Sequence, residues 1–424
     1  MLKQLILKNW KSFCYAELPL DPLTILIGTN ASGKSNVIEA LEFLKRIVKG
    51  KGIEVALVGD EKLSSIRGGV EWAALRPKTQ FTLKSIVEGE DDNTDYIYSI
   101  TVQTQPFLQT LELDIIRQEN NVGIINNYYL INSGIQEETL DKKLTIYSDK
   151  SVISYPLDID KDALVSSELI INLFRYSIGR KNHDKDGLNK NLIGINKTIN
   201  TLNNIFIFNP IPFNMRDYSP LSETLESDAS NIAGLLAALP DQQKAEVEST
   251  LSTYIKDLPE GDIQKVWAEK VGRFGTDAML YCHEEWKPGH ITEIDARSMS
   301  DGTLRFLAIL TALLTRPEGS QLVIEEIDNG LHPSRAELLV RILREIGSKR
   351  KIDILLTTHN PALLDALGPE IVPFVVVAHR DKETGESKLT LLEDIENLPL
   401  LLASGTLGRL ATKGAIEKSL SDNK

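Results

Sequence analysis

Residues 23–48 read LTILIGTNASGKSNVIEALEFLKRIV, and this stretch decides the fold. The short apolar run at 23–27 stops at a glycine, which is typical of a buried strand. Apolar residues then recur at helical spacing over residues 37–48. Between the two patterns, residues 28–35 (GTNASGKS) fit G-x-x-x-x-G-K-[ST]. The sequence therefore predicts a strand, a glycine-rich turn and a helix, which together form a phosphate-binding loop.

Each residue type in this loop has a physical reason to be there. Glycines let the backbone curl so that its N–H groups face a phosphate, and the helix that follows adds its positive N-terminal end. A lysine supplies charge to the β- and γ-phosphates, and a serine hydroxyl can ligate Mg²⁺. The alternative is a chance glycine turn, but the flanking strand and helix favour nucleotide binding. The predicted binding residues are Gly28, Asn30, Gly33, Lys34, Ser35 and Asn36.

The composition sets limits on the class of protein. The chain has 424 residues, 42% of them hydrophobic, and a formal net charge of −13. No run of ~18 apolar residues predicts a membrane span, and the first residues do not have the pattern of a signal peptide. Two distant cysteines, Cys14 and Cys282, favour a reducing cytoplasm over a disulfide framework. The acidic balance argues against a sequence-independent grip on nucleic acid over the whole surface. It leaves room for a local basic patch such as residues 344–351, whose alternative interpretation is a solvated helix end.

The rest of the chain predicts three regions. Residues 70–155 contain strand-like pieces between polar turns, whereas residues 160–290 are more helical, with two helices separated at Pro240. We expect a mobile or exposed insertion at residues 181–208. The final third alternates helices with apolar strands, which predicts a parallel sheet. The predicted domains are an N-terminal lobe with a β-rich subdomain (1–155), a largely helical insertion (156–290) and a C-terminal lobe (291–424).

A second element that could face phosphate lies in the final third. Ser300, Asp301 and Gly302 directly precede a strongly apolar helical segment. A serine or aspartate at this position is typical of an N-cap that starts a buried helix. The same geometry lets a hydroxyl and a glycine N–H meet a γ-phosphate. The two interpretations are compatible.

Two carboxylates stand side by side in LVIEEIDNGLHPS, residues 322–334. Glu325 and Glu326 end an apolar strand, where like charges repel if they are partly buried. A cation, a catalytic task or solvent exposure would each explain them. A second strand, residues 353–359, ends at His359, which has either a structural or a catalytic role. The pair His332-Pro333 is expected to shape a turn and start a helix.

The order of these motifs resembles the ABC-type ATPase heads of the SMC and RecF group. More closely, the chain looks like small RecF-like ATPases related to the ATPase part of overcoming-lysogenisation-defect nucleases. The opening LKNWKSF is similar to the first strand of that family, and EEIDNGLHP is similar to its DEPENGLHP-like stretch. Residues 225–239 and the C-terminal LTLLEDIENLPLLLASGTLGRLATKG add to the likeness. The resemblance implies an α/β P-loop NTPase of ABC-head type, with a mixed sheet, a β-rich N-terminal lobe and an inserted helical subdomain.

The resemblance also implies ATP and Mg²⁺ as cofactors and assigns a role to each motif. Two copies would sandwich ATP, so that Lys34 and Ser35 face the Ser300-Asp301-Gly302 signature of a second copy. Glu325 replaces the usual aspartate beside Mg²⁺, and Glu326 would orient and deprotonate the attacking water. Asp328 would lie in the loop that contacts the opposite subunit, and His359 would reach the γ-phosphate.

Two segments keep alternative interpretations. In place of a clear Q-loop glutamine stands SIRGGVEW, residues 65–72, in which Arg67 either faces a phosphate or precedes a Gly-Gly turn. Residues 157–162, LDIDKD, are either metal-binding carboxylates or, as we expect, an exposed acidic turn.

The function implied by the resemblance is an ATP-dependent switch. Nucleotide would close a homodimer or a larger assembly, and closure would regulate a separately encoded nuclease or toxin, or DNA, in anti-phage defence or genome maintenance. About 65 residues follow His359, too few for the nuclease domain of the larger relatives. The alternative is a nucleotide-dependent scaffold with little ATP turnover. A transporter subunit is disfavoured because no membrane segment is predicted.

Overall fold

In the computed structural model of the chain, the described residues are 1–121, 124–135, 142–148, 151–157, 185–330 and 332–422. From residue 158 onward, the acidic turn predicted at 157–162 lies outside them. The chain divides into two compact units. The first unit comprises Met1–Asp21, Gly28–Ile205 and Val376–Thr390. The second unit comprises Pro22–Ile27, Phe206–Val375 and Leu391–Lys424.

Strands and helices alternate irregularly along the described chain. The strands are β1 (Leu2–Trp10), β2 (Phe13–Pro19), β3 (Leu23–Ile27), β4 (Gln80–Glu88), β5 (Thr94–Gln103), β6 (Gln109–Asn121), β7 (Ile124–Ile135), β8 (Lys142–Ser148), β9 (Ser151–Leu157), β10 (Ile205–Phe208), β11 (Ser219–Pro220), β12 (Ile263–Val271), β13 (Asp277–Lys287), β14 (His290–Asp295), β15 (Gln321–Ile324), β16 (Asp353–Thr357), β17 (Val375–Arg380) and β18 (Ser387–Leu391). The helices are α1 (Lys34–Val48), α2 (Ile53–Val58), α3 (Lys185–Asn203), α4 (Ile232–Ala238), α5 (Asp241–Lys256), α6 (Asp301–Thr315), α7 (Ala336–Arg350), α8 (Pro361–Leu367), α9 (Leu398–Ser404), α10 (Leu407–Thr412) and α11 (Ala415–Asp422).

The first unit is built on an antiparallel sheet of eight strands in the order β2-β1-β4-β5-β6-β7-β8-β9. Residue Leu7 of β1 pairs with Ala16 on one side and Leu83 on the other, and all three side chains are buried. A buried row of this kind across three strands is expected of a sheet with one face on a core. The β-rich character predicted for residues 70–155 is confirmed over the described strands.

Aromatic rings and helix α1 form the core of the first unit. The rings of Trp10, Phe43 and Phe81 meet pairwise with centroids 4.8–5.9 Å apart, at tilted or edge-on angles. Pairs in this geometry contribute about 0.5–1.5 kcal/mol each beyond their buried area. The expectation of an exposed insertion at residues 181–208 is wrong from residue 185 onward. Helix α3 covers most of that part and buries Ile195 and Leu202 completely.

The second unit contains the parallel strands that the final third predicted. Strand β15 pairs in parallel with β16, which pairs in parallel with β3, and β10 lies beside β15. Every residue of β15 and β16 is buried, as expected of parallel strands covered on both faces. The predicted alternation of helices and strands in this region is confirmed by α6, β15, α7, β16 and α8.

A separate antiparallel sheet occupies part of the region predicted to be helical. Strands β11, β13 and β12 lie in that order, with β14 beside β13. The helix break at Pro240 is confirmed, because α4 ends at Ala238 and α5 begins at Asp241. The domain boundaries at residues 155 and 290 stay a prediction. No described helix combines the length and apolar character that crossing a lipid bilayer requires.

Candidate functional site

The phosphate loop, residues 28–36, has a backbone shape that only glycine permits at two positions. Gly28 has φ 140° and Gly33 has φ 112°, and both lie in the region that side chains disfavour. A Cβ on Gly28 would lie 2.1 Å from the carbonyl oxygen of Ala378. A Cβ on Gly33 would lie 2.8 Å from the side chains of Phe13 and Ser387. Both glycines are therefore required by close neighbours as well as by the left-handed backbone.

Lys34 is folded back over this loop. Its ammonium group donates to the carbonyl oxygens of Gly28 at 2.7 Å and Thr29 at 3.0 Å. The residue is only 8% exposed, although it carries a charge. The loop therefore holds its cation inside the curve of the backbone, where a phosphate group would meet it.

Residues of the opening motif NWKSF contact the end of the phosphate loop at Asn36. Trp10 donates its indole N–H to the carbonyl oxygen of Asn36 at 2.7 Å. The Asn36 amide donates to the hydroxyl of Ser12 at 2.8 Å, and Ser387 donates to the same hydroxyl at 2.8 Å. These contacts explain why a motif near residue 10 accompanies a phosphate loop near residue 30: it fixes the first turn of α1.

A cavity of about 570 Å³ opens beside the loop within the first unit. Its lining includes Lys11, Asn36, Trp72, Arg76 and Arg380. The Arg76 guanidinium lies 3.9 Å from the centre of the Trp72 ring, close enough for a cation–π contact. The cavity therefore combines positive charge with an aromatic surface.

Arg67, whose role the sequence left open, belongs to this cavity and also forms an ion pair. Its Nε donates to Glu39 at 2.7 Å, and Lys11 also pairs with Glu39. Burial lowers the pKa of Lys11, and the bond to Glu39 opposes that effect. Arg67 does precede a Gly-Gly turn, because Gly68 and Gly69 both have positive φ.

In the second unit, Ser300 caps helix α6. Its Oγ accepts from the backbone N–H of Thr303 at 3.1 Å, with extended backbone at Ser300 itself. The N-cap interpretation is therefore confirmed, and contact with ATP stays a prediction. Ser300 and Asp301 are both exposed. Together with the loop before them, they form the signature turn, residues 296–302.

The two adjacent carboxylates occupy different environments. Glu325 is half-buried, whereas Glu326 is exposed and has a left-handed backbone with φ 48°. A non-glycine residue in that region costs about 1–3 kcal/mol and is often found at functional sites. The hydroxyl of Thr357 holds this conformation by accepting from the Glu326 N–H at 2.8 Å. At this turn Glu326 is open to solvent, whereas Glu325 stays half-buried.

Arg305 links helix α6 to the same turn. Its guanidinium donates to the carbonyl oxygens of Glu326 at 3.0 Å and Pro210 at 2.9 Å. Asp328 follows the turn, and one of its oxygens is buried without a hydrogen-bond partner among the described residues. Neither Arg305 nor Thr357 was identified from the sequence. The charged residue inside the otherwise apolar run LRFLAILTALL was a signal that could have pointed to Arg305.

His359 is exposed and directly follows the buried end of β16. The next residue, Asn360, caps α8 by accepting from Ala362 N–H at 2.9 Å. His332 accepts from Ser334 N–H at 3.3 Å, so its predicted role in shaping a turn is confirmed. The histidine that ends β16 therefore projects from a fixed point between a strand and a capped helix.

The parallel register brings the carboxyl ends of three strands to one edge of the sheet. In the pairing, Ile324 lies opposite Leu356, and Thr357 lies opposite Leu26. The carboxyl ends of β15, β16 and β3 therefore meet at the same edge, which is where α/β sheets bind ligands. Glu325, Thr358 and Gly28 are the next residues along the chain.

The residues present could hold Mg²⁺ only together with water and the phosphates of a nucleotide. No group of three or more histidine, cysteine, aspartate or glutamate side chains converges as a metal site in the described parts of the chain. Magnesium usually takes one or two protein ligands and completes its shell with water and substrate phosphates. A serine hydroxyl and a single carboxylate, as predicted for Ser35 and Glu325, are consistent with that habit.

Comparisons with known proteins agree with this arrangement. A family described as "AAA domain, putative AbiEii toxin, Type IV TA system" matches residues 23–123 and 113–365. No curated protein matches the chain significantly.

Among solved structures, the SmcHead bound to the C-winged helix domain of ScpA superposes with a TM-score of 0.51 at 11% identity, covering 92% of this chain and 97% of that one. The SMC head domain from Thermotoga maritima gives a TM-score of 0.43 at 14% identity, covering 92% and 98%. The Smc head domain with an extended coiled coil, bound to the C-terminal domain of ScpA derived from Pyrococcus furiosus, gives 0.45 at 11% identity, covering 95% and 99%. The predicted ABC-head fold is confirmed by the first of these likenesses. Since the family match spans most of the sequence, the chain belongs to this AAA-domain ATPase family and has the fold of an SMC/RecF-like ABC-type ATPase.

Proposed function

We propose that the chain binds and hydrolyses ATP in a head-to-tail homodimer and acts as a switch for a partner. The observation that carries the proposal is the shared edge of β3, β15 and β16, where a phosphate loop, two acids and a histidine follow neighbouring strands. Phosphoryl transfer depends on positioning and charge more than on covalent chemistry, and these are the groups it needs.

Each residue would have a distinct task. Lys34 would neutralise the β- and γ-phosphates inside the loop, and Ser35 with Glu325 would hold Mg²⁺. When bound, Mg²⁺ supplies charge neutralisation between the phosphates. The exposed Glu326 would orient water and take its proton, and His359 would donate to the γ-phosphate. Asp328 and the signature residues Ser300, Asp301 and Gly302 would act on the nucleotide of a second copy.

The cavity beside the phosphate loop supports nucleotide binding. A nucleotide whose phosphates occupy residues 28–36 has room for its sugar and base in the adjoining 570 Å³. The lining is polar and cationic near the loop and aromatic at Trp72, which suits a ribose and a flat base. The partner would be a separately encoded nuclease or toxin, or DNA, in anti-phage defence or genome maintenance in the cytoplasm.

Glu326→Gln tests the switch. The variant is expected to bind ATP normally, to lose at least about 100-fold in kcat, or ~2.7 kcal/mol of barrier lowering, and to accumulate an ATP-bound dimer. Light scattering after size exclusion measures the dimer, and phosphate release measures turnover. Glu337→Gln, an exposed carboxylate in the first turn of α7, is the matched control and should hydrolyse ATP like the wild type. A Glu326→Gln protein that turns over ATP at the wild-type rate would refute the assigned role.

A second candidate is a nucleotide-dependent scaffold with little turnover. Glu325 favours it, because a glutamate is one methylene longer than the usual aspartate and shifts the carboxylate that would hold the metal. In that case wild type and Glu326→Gln would dimerise equally with ATP and support the same activity in cells. A wild-type dimer that dissociates as ATP is consumed would exclude the scaffold.

A further inference from the structure

One arginine outside every motif makes an unusual set of contacts with the signature turn. Arg216 ends the short helical turn Pro212–Arg216. Its Nη1 donates to the carbonyl oxygens of Ala296 at 3.1 Å, Arg297 at 2.9 Å and Met299 at 2.7 Å. Its Nη2 donates to a carboxylate oxygen of Asp301 at 2.5 Å. Nη1 has two hydrogens for three oxygens, so at least one hydrogen is shared and the oxygens converge on one cation.

These contacts fix which way the turn presents its donors. In a trans peptide the C=O and the following N–H point in opposite directions. Because the Met299 carbonyl points to Arg216, the Ser300 N–H points away from Arg216. The next donors along the chain belong to the first turn of α6, whose N-terminus carries partial positive charge and whose Thr303 N–H is bonded to Ser300. Arg216 therefore turns these carbonyl oxygens towards itself and leaves the Ser300 N–H pointing away, whereas the Ser300 hydroxyl is bonded to Thr303.

The guanidinium of Arg216 also pairs with the negative charge of Asp301 in the signature turn. Asp301 is 70% exposed at its side chain, and an unpaired carboxylate there would repel an incoming phosphate. The ion pair draws that carboxylate towards Arg216, whose own side chain is only 25% exposed. A rigid fork with five donors is suited to this task, and a lysine ammonium cannot reproduce its planar geometry.

We propose that Arg216 is a positioning residue that holds the signature turn in the shape that engages nucleotide across the dimer. This inference rests on the proposed function, because it concerns the step at which the turn meets the ATP of a second copy. Preorganising a turn lowers the ordering cost of binding, so losing Arg216 weakens the dimer and leaves nucleotide binding at the phosphate loop unchanged.

Arg297 offers a matched control on the same turn. It is also an arginine, but its side chain is 58% exposed and pairs with Asp295, two residues away. Its hydrogen bonds therefore close a local contact, and beyond them its guanidinium lies 5.8 Å from the centre of the Tyr218 ring. Replacing Arg216 or Arg297 by methionine removes one guanidinium in each case, and of the two only Arg216 hydrogen-bonds the turn to a distant segment.

The first measurement is hydrogen exchange of the full chain without nucleotide. Arg216→Met is expected to speed exchange of the amides of residues 296–304 by about tenfold, because a charge-assisted contact to each carbonyl is lost. Arg297→Met should change the same amides by less than about twofold. Arg216→Lys should fall between Arg216→Met and the wild type, and it replaces the methionine variant if that protein does not fold. Equal exchange rates in Arg216→Met and Arg297→Met would show that Arg216 does not hold the signature turn.

The second measurement places each arginine substitution in the Glu326→Gln background. The dissociation constant of the ATP-bound dimer should rise about tenfold for Arg216→Met and stay within about twofold for Arg297→Met. In the otherwise wild-type enzyme, Arg216→Met should lose activity at low protein concentration and recover it at high concentration by mass action, with KM for ATP unchanged. A dimer constant equal to that of the control would overturn the inference. If Glu326→Gln alone stays monomeric with ATP, the proposed dimer fails, and the exchange experiment still decides whether Arg216 holds the turn.

Discussion

The phosphate loop and the signature turn both precede a fifteen-residue helix, and different contacts hold them in shape. The bends of the phosphate loop come from its own residues, two glycines with positive φ and a lysine that donates to carbonyl oxygens five and six residues earlier, and Trp10 and Ser12 contact the loop at Asn36. The signature turn has backbone hydrogen bonds of its own, and its carbonyl oxygens and Asp301 are also held by Arg216, a side chain eighty or more residues away in the sequence. The phosphate loop therefore depends mainly on residues close in sequence, whereas the signature turn also depends on a contact from a distant part of the second unit.

The phosphate loop and the signature turn should therefore respond differently to mutation. The phosphate loop is expected to be most sensitive to changes of its own glycines and lysine. A turn held from outside also fails when its remote support changes, even though its own sequence is intact. The two regions can thus be tested by pairs of substitutions that separate internal from external support.

The largest effect is expected from Lys34→Ala. It removes the ammonium group from the centre of the phosphate loop, so ATP affinity and hydrolysis should fall by at least about 100-fold, or ~2.7 kcal/mol. Lys49→Ala removes an exposed lysine just beyond the end of the same helix and should have no effect on either. Fluorescent-nucleotide titration and phosphate release measure the two quantities. If Lys34→Ala still bound ATP, the phosphate loop would not be the nucleotide site.

Gly28→Ala should be the most damaging single methyl group in the loop. The new Cβ would lie 2.1 Å from a backbone oxygen, which cannot move aside as a flexible side chain would. We expect the free energy of unfolding to fall by about 2–4 kcal/mol, together with loss of ATP binding.

Gly289→Ala is the control for Gly28→Ala. It has φ 78° and nothing within 4 Å of the added carbon, so it carries backbone strain without the clash. Its cost should be about 1 kcal/mol with ATP binding intact. Equal losses in the two variants, measured by denaturant unfolding, would mean that the close approach at Gly28 is unimportant.

Gly302→Ala changes the last residue of the signature turn. An added Cβ would lie 2.8 Å from Nη1 of the buried Arg335 and 3.0 Å from the carbonyl oxygen of Gly330. We expect the turn to shift, the ATP-bound dimer to weaken about tenfold, and ATP binding by the monomer to stay within about twofold.

The double variant Gly302→Ala/Arg335→Ala sharpens this result. If the Arg335 side chain is the obstacle, the dimer lost in Gly302→Ala should be partly restored once that side chain is shortened. Dimer constants from analytical ultracentrifugation in the Glu326→Gln background give the coupling. Strict additivity of the two substitutions would place the obstacle at the Gly330 carbonyl instead.

The sequence predicted the features that depend on a few adjacent residues. The phosphate loop, the N-cap at Ser300 and the apolar strand before Glu325 each occupy a short stretch, so propensity and spacing suffice to recognise their local structure. The break at Pro240 was predictable for the same reason.

The features that were missed depend on residues brought together by topology. Thr357 holds the Glu326 turn from a neighbouring strand, and that contact exists only because β15 and β16 lie side by side. Strands β12 and β13 lie in the region predicted to be largely helical, because their pairing partners, rather than their own sequence, decide the structure. Arg216 has no local signal at all.

The smallest effect is expected at the outer side of the signature turn and depends on pH. Hydrogen bonds from Arg297 hold the pKa of Asp295 below its ordinary value of 3.8. A lowered pKa in the folded state means that the pair stabilises the protein above that ordinary value, and that this contribution is lost as the pH falls through the folded pKa. Asp295→Asn should therefore lower the melting temperature slightly and by the same amount at pH 5 and pH 7.5, with a narrowing difference below pH ~4. A difference that instead grows on acidification would mean that Asp295 is protonated more readily in the folded chain. The Asp295–Arg297 pair would then not stabilise the turn, and Arg216 would remain as the side chain that supports it from outside, in contrast to the phosphate loop, whose glycines and lysine lie within it.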